Sequence, residues 1–188
     1  MEPGVTLQLL LEARRLKSVP RIGWVMRGVP NAESVADHSF GVAFISLILA
    51  ELVEHPLDKA KLLTLALIHD LAESVVSDLP APATGYFPSN AKRKAEERVL
   101  AELLSRLPHR AEQWYNWWQE FESGTSPEGR LVRDADRLDM LIQAYVYEQT
   151  TGNRWLDEFW PPAETLPFEF AAAQTLCEEL LALRKQHG

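Results

Sequence analysis

Cysteine is nearly absent: Cys177 is the only one in 188 residues. No intramolecular disulfide can form, and a chain held together without disulfides suits a reducing compartment such as the cytoplasm. Long apolar runs are missing too. The longest, Val42 to Leu52, is interrupted by Ser46 and Glu51, whereas a membrane-spanning helix needs about 20 apolar residues. No basic segment precedes it at Met1-Glu2-Pro3-Gly4, so a secretory leader is not expected. Positive charge is in short supply: 19 Lys and Arg face 27 Asp and Glu, a net charge of −8. Polynucleotides and anionic membranes are therefore not expected partners. A small anionic ligand stays open, because a metal ion and a few Arg residues can reverse a local field. There is no Gly-rich phosphate cradle, no internal repeat and no sustained strand alternation.

What the chain does have is helical periodicity. A first helix is expected over Thr6 to Lys17, with Leu9, Leu10, Ala13 and Leu16 on one face. Residues Val19 to Ala32 contain Pro20, Gly23, Gly28 and Pro30 and should form a loop. Ser34-Val35-Ala36-Asp37 reads as a capping box with Asp in the Glu position, opening a second helix to about Glu54. Asp58 is a candidate N-cap for a third helix to about Val76. The Pro-rich stretch Asp78 to Pro88 should not be regular helix. Ser89 can cap a fourth helix through Arg106, and a fifth runs from about Pro108 to Glu122. Ser126-Pro127 begins a sixth, reaching about Thr150. A last helix is expected over roughly Pro167 to Lys185. The expectation is an all-α fold, about seven helices in one domain over 1–188.

Within this pattern His69-Asp70 stands out. It interrupts an apolar stretch running from Leu62 to Ala72, and buried imidazole and carboxylate are costly without partners. A lone His here is more often a hydrogen-bonded core residue than a ligand. Two distant polar residues inside other helical patterns, His38 and Asp136, change that balance, since two His and two Asp on three helices read as a metal centre. Asp136 competes with Asp134 and Asp139, and spacing alone does not separate them. Glu73 lies three residues after Asp70 and four after His69, on the face they share in a helix.

The set His38, His69, Asp70 and Asp136 resembles the HD-domain metal-dependent phosphohydrolases, whose pattern is a separated His, a His-Asp doublet and a distant Asp. The resemblance selects Asp136 among its neighbours. Arg21-Ile22-Gly23-Trp24, Glu33-Ser34-Val35-Ala36-Asp37-His38-Ser39, His69-Asp70-Leu71-Ala72-Glu73, Asp78-Leu79-Pro80 and Tyr86-Phe87 are similar to the HD-domain 5′-deoxynucleotidases. The likeness covers about residues 16–148 and weakens after Gly152. Some members of that family have Arg and Trp adjacent; here Ile22-Gly23 separates them. The resemblance implies hydrolysis of deoxyribonucleoside 5′-monophosphates with a divalent metal, and a homodimer, for which the tryptophans of the fifth helix offer surface.

Mixed N and O donors without thiolate suit Mn, Co, Fe, Ni or Zn, and Mg less well. Metal ligands are then His38, His69, Asp70 and Asp136. Glu73 is expected to orient or deprotonate a water, and Asp78 to assist the leaving oxygen or hold the sugar. Arg21 is the candidate for phosphate recognition and Trp24 for a flat wall against deoxyribose or base. Bland alternatives stand beside these: Asp78 as a turn-capping group, Arg21 as a surface charge, Trp24 as a core anchor, Lys92-Arg93-Lys94 as a solvated helix face. Trp114, Trp117 and Trp118 are expected to pack rather than stack on bases. Another phosphodiesterase or nucleoside triphosphate hydrolase of the same superfamily, or a noncatalytic metal-stabilised binding protein, are the competing functions.

Overall fold

The computed structural model describes residues 3–160 and 168–187. Ten α-helices follow one another: α1 Pro3–Arg14, α2 Ile22–Met26, α3 Val35–Leu52, α4 Lys59–Ile68, α5 Glu73–Val76, α6 Ala81–Thr84, α7 Ala91–Leu104, α8 Ala111–Ser123, α9 Pro127–Thr151 and α10 Ala171–His187. Tight 3-10 turns cover Arg15–Ser18 and Arg154–Phe159. No strand occurs among the described residues, and the expected all-α fold is what forms.

The seven expected helices are the long members of this set. Three short ones are additional, because single turns carry little periodicity. α2 lies inside the expected loop 19–32, and α6 lies inside the Pro-rich stretch, where Pro82 sits in the first turn and gives up no needed N–H. The expected third helix is divided into α4 and α5. The start expected for the last helix, at Pro167, lies outside the described residues.

Local chemistry explains the long helices. Ser34 accepts from the Asp37 N–H while the Asp37 side chain accepts from the Ser34 N–H, closing the capping box. Asp58 accepts from the N–H groups of Ala60 and Lys61, and Ser126 from that of Gly129 ahead of the 25-residue α9. The expected Ser89 cap does not form. α7 begins at Ala91 after Asn90 in the left-handed region, without a side-chain cap, a conformation Asn tolerates better than most residues.

α3 and α9 pack along each other, with α4 against both. Val35, Val42, Leu49, Leu62, Leu65, Leu100, Leu103, Leu131 and Val132 form a buried core between α3, α4, α7, α8 and α9. A second cluster joins Trp24, Leu138, Leu141, Leu156, Trp160 and Cys177, bringing α10 onto α9. On α9 Leu141 is buried while Ile142 is exposed, and on α1 Leu9 is buried as expected while Leu10, expected on the same face, is exposed.

α3 is apolar all round, and by length and composition alone it could cross a membrane. One face, with Val35, His38, Val42, Ser46 and Leu49, is buried in the bundle. Phe40, Phe44, Ile48 and Leu52 form an exposed stripe at four-residue spacing on the other side. The tryptophan-rich α8 is the reverse of an open surface: Trp118 is buried, and Trp114 and Trp117 pack on the core.

Candidate metal centre and its cavity

α4 stops at Ile68, and the turn that follows carries the doublet. Its backbone bonds connect residues three apart: Leu71 N–H to Ile68 O at 3.1 Å, Glu73 N–H to Asp70 O at 3.0 Å and Ser74 N–H to Leu71 O at 3.1 Å. A continuing α-helix would send the Glu73 N–H to the His69 carbonyl. That carbonyl instead accepts from the Trp118 indole N–H at 3.2 Å. In the tighter winding, residues three apart eclipse, so Asp70 and Glu73 project to one side. The shared side of Glu73 and the doublet was expected from α-helical spacing; it arises from this turn instead.

The Nδ1 positions of both histidines are occupied. His69 Nδ1 lies 2.9 Å from the Ala66 carbonyl, which can only accept. His38 Nδ1 lies 2.7 Å from Asp139 Oδ2. Each Nδ1 therefore holds its hydrogen and each Nε2 offers a lone pair, the arrangement that metal-ligating histidines adopt. The two Nε2 atoms are 3.4 Å apart. Asp136 Oδ1 is 3.1 Å from His38 Nε2, and Asp70 Oδ2 is 3.3 Å from His69 Nε2 and 3.7 Å from His38 Nε2. Bonds of about 2.1 Å to one ion place neighbouring donors about 3.0–3.4 Å apart; His38, His69 and Asp136 are grouped closely enough for a single cation, and Asp70 stands beside them, 3.3 Å from His69 Nε2. His38, His69, Asp70 and Asp136 could hold it.

Three aspartates of α9 take three different tasks. Asp136 and Asp139 are three apart and face α3. Asp134, about 200° away from Asp136 around the helix, points elsewhere and accepts from the N–H groups of Glu169 and Phe170, both 2.9 Å from its Oδ2, just ahead of α10. Asp139 reaches His38 through a notch at Gly41, where an added Cβ would lie 2.0 Å from Asp139 Oδ1.

Charge at the cluster is unbalanced toward the negative. Burial pushes the His38 imidazole down, but its hydrogen bonds to Asp136 and Asp139 outweigh that and raise it to about 10. His69 is also raised, because the Asp70 carboxylate outweighs the downward push of burial, and Asp70 is in turn held low by His69 and Arg21 against the upward push of burial. Burial, then repulsion from Asp70 and Asp78, pushes Glu73 up to about 9. Glu73 Oε2 is buried with no protein partner. Such a site takes up positive charge, as protons or as a cation.

A cavity of about 310 Å³ opens onto the cluster, bordered by Asp70, Glu73, Asp78, Asp136, Arg21 and Lys92, and also by Trp24, Arg27 and Phe159. Arg21 Nη1 lies 3.4 Å from Asp70 Oδ2. Lys92 Nζ lies 3.8 Å from Glu73 Oε1 and 3.3 Å from Glu96 Oε1. Asp78 Oδ2 accepts from the Ile22 N–H at 2.7 Å and so ties its loop to the start of α2. Trp24 is buried, donates to Glu33 at 2.8 Å and packs on Tyr147 and Phe159, a core anchor with part of its ring on the cavity. Sequence reasoning passed over Asp139, Glu33 and Lys92. Lys92 was assigned to a solvated face because Glu96-Glu97 follow it, and one turn of helix geometry would have left it either way.

The HD domain family model matches residues 13–160. The chain belongs to the HD domain family. It is 36% identical over 160 residues to the 5′-deoxynucleotidase HDDC2 of Danio rerio, covering 84% of this chain and 78% of that protein. The human 5′-deoxynucleotidase HDDC2 is 36% identical over 143 residues, 76% of this chain and 68% of the relative. A conserved hypothetical protein from Pyrococcus furiosus superposes with a TM-score of 0.80 at 40% identity, covering 95% of this chain and 99% of that one.

Two measurements check this HD site. Gly41→Ala is expected to displace the Asp139 carboxylate and lower bound metal per chain well below that of the wild type, while circular dichroism stays helical; undiminished metal content would contradict the notch. The raised His38 value has a sign for stability. Its folded value lies above the ordinary 6.5, so the linked stability is complete below about pH 6.5 and is lost as pH rises through about 10. The chelator-treated protein should therefore melt at progressively lower temperature from pH 7 to 10, more steeply than the metal-loaded protein. A flat profile for the chelated form would be the contrary result.

Proposed function

We propose that this protein is a metal-dependent 5′-deoxynucleotidase, hydrolysing deoxyribonucleoside 5′-monophosphates to deoxyribonucleosides and phosphate. The observation that carries the reading is the grouping of His38, His69 and Asp136, with Asp70 beside them, against a cavity bordered by Asp70, Asp136, Arg21 and Glu73, whose Oε2 has no hydrogen-bond partner. The relatives named 5′-deoxynucleotidase supply the substrate class. We take residues 1–188 as one unit working in the cytoplasm, consistent with a lone buried thiol at Cys177.

A divalent cation held by the two imidazoles and two carboxylates supplies neutralisation of phosphoryl charge and a lowered pKa for water. Mn, Co, Fe, Ni or Zn suit these donors, Mg less so. The chain's own residues do the rest. Arg21 and Lys92 present cationic donors to the phosphate from two walls of the cavity. Glu73, eclipsed with Asp70, is placed to take a proton from the attacking water. With Arg21 and Lys92 already drawing it down, the carboxyl still stands at about 9 in the metal-free site; a cation held beside Asp70 would lower it further, toward the range where a carboxylate works as a base near neutrality. The departing O5′ must gain one proton for the nucleoside to leave. Asp78, held through Oδ2 by the Ile22 N–H, borders the cavity, where it assists that step or holds the sugar. The Trp24 indole N–H is already committed to Glu33. A 2′-hydroxyl against this ring would lose its hydrogen bonds to water without replacement, which favours the deoxy sugar.

Of the three cationic side chains bordering the cavity, Arg27 is paired with Glu158, and the two that remain suit a monophosphate better than a triphosphate, which weighs against a triphosphate hydrolase. The buried Glu73, with Oε2 lacking a hydrogen-bond partner, weighs against a purely structural metal. As for assembly, Trp118 of α8 is buried and Trp114 and Trp117 are partly buried against the core, which leaves α8 little surface for an interface. The exposed Phe40, Phe44, Ile48 and Leu52 stripe of α3 offers one, with the Phe40 and Phe44 rings parallel 6.4 Å apart, and we assign the homodimer contact to it.

A panel of mono-, di-, tri- and cyclic nucleotides with several metals tests the activity: phosphate release confined to 5′-deoxymonophosphates is expected, and equal turnover of ribo- and deoxyribonucleotides would remove the sugar argument. Glu73→Gln should lower kcat roughly a hundred- to ten-thousand-fold with metal content unchanged; full turnover would end its role. Phe44→Asp should shift sedimentation from dimer to monomer, and an unaltered dimer would move the interface elsewhere.

A further inference from the structure

The cavity has two kinds of wall, and the proposed chemistry uses only one. Charged groups handle phosphate and water. The other wall is Phe159 with Arg27, which no motif marks. Phe159 ends the 3-10 turn after α9, and its ring lies 4.4 Å from that of Trp24, centroid to centroid, tilted by 40°. The Arg27 guanidinium carbon sits 5.2 Å from the Phe159 ring centre. Gly23 lies alongside the ring, where even a Cβ would make only an ordinary contact with its edge at 3.5 Å.

This wall is held in place before any ligand arrives. Leu156, three residues before Phe159, is fully buried in the second core cluster. Asn153 Nδ2 donates to the Arg27 carbonyl at 2.7 Å, tying the turn to the end of α2. Arg27 is paired with Glu158 through Nε and donates to the Gly23 carbonyl at 3.4 Å. Its charge is thus answered locally, which leaves a flat, weakly hydrated plane rather than a free cation for phosphate. Aromatic and guanidinium planes are the surfaces on which nucleobases stack, and stacking tolerates any base because every base has a π-face.

We propose that Phe159 and Arg27 form the nucleobase subsite of this cavity, holding the base by stacking and apolar contact while the charged walls hold the phosphate. This deepens the nucleotidase reading and rests on it. On this side the Trp24 indole N–H is engaged by Glu33 and Arg27 by Glu158 and the Gly23 carbonyl, while Phe159 carries no polar side-chain atom. Few donors thus meet a base edge. The subsite therefore distinguishes a nucleotide from a bare sugar phosphate strongly, and one base from another weakly.

The test compares deoxynucleoside 5′-monophosphates carrying each base with 2-deoxyribose 5-phosphate, which has the phosphate and sugar but no base. The metal-loaded wild type is expected to show a lower KM for all the nucleotides than for the sugar phosphate. Phe159→Ala should raise KM for the nucleotides roughly tenfold with little change in kcat, and leave the sugar phosphate kinetics as they were. Phe159→Leu, which keeps packing volume against Trp24, should show the same pattern in weaker form. Equal losses on nucleotide and sugar phosphate in both variants would make the ring a packing element only and overturn the subsite. Unchanged nucleotide KM in Phe159→Ala would overturn it as well, with the nucleotidase intact. A wild type that releases no phosphate from any deoxynucleotide would instead remove the functional reading beneath it.

Discussion

The hydrogen bond between His38 and Asp139 is the constraint on which the site depends. A buried imidazole can rotate, change tautomer or take a second proton, and each would spoil it as a donor. The carboxylate from α9 prevents the first two by claiming Nδ1 at 2.7 Å, and the second proton it favours is what a bound cation would displace. It can do so only because α3 and α9 approach closely at Gly41, where any side chain would collide with Asp139. Helix packing and imidazole orientation are thus one contact. Loosening the α3–α9 seam would disturb His38, and removing Asp139 would leave a buried ring without its fixed partner.

The same groups make the site costly to keep. Asp70, Asp136, Asp139, Glu73 and Asp78 crowd around two imidazoles and Arg21, and the carboxyl of Glu73 is held up to about 9 by burial and its acidic neighbours. Buried charge of one sign destabilises a fold unless something answers it. A cation in this position serves the fold and the chemistry together, binding the folded state alone and drawing stability from that linkage. The rest of the bundle, with its two apolar clusters, supplies the margin that such a site consumes.

Most of the fold was legible because the long helices announce themselves locally. Ser34 with Asp37, Asp58, and Ser126 with Pro127 are self-contained caps, and each sits where the sequence places it. The division after Ile68 was not legible. Leu71 and Ala72 continue the apolar pattern, and the cause is an indole from α8, forty-nine residues away, taking a carbonyl. The donor set showed itself through the His-Asp doublet and family pattern, whereas the assignments of Asp134 and Asp139 needed the positions of α10 and Gly41. Lys92 was obscured by its acidic neighbours, and Phe159 lies in a turn with no periodicity at all, so only proximity in space reveals either.

The tightened turn between His69 and Glu73 also limits how this protein can vary in length. In a loop, one inserted or deleted residue is absorbed by slack. Here the register is three residues per turn, pinned at one end by α4 and in the middle by the Trp118 bond to the His69 carbonyl. One added residue would swing Glu73 by about 120°, out of line with Asp70. Segments around the turn differ: the stretch from Gly85 to Asn90 has exposed side chains and could lengthen freely. Next to a stretch that can lengthen, the five residues from His69 to Glu73 form a gauge block of fixed size.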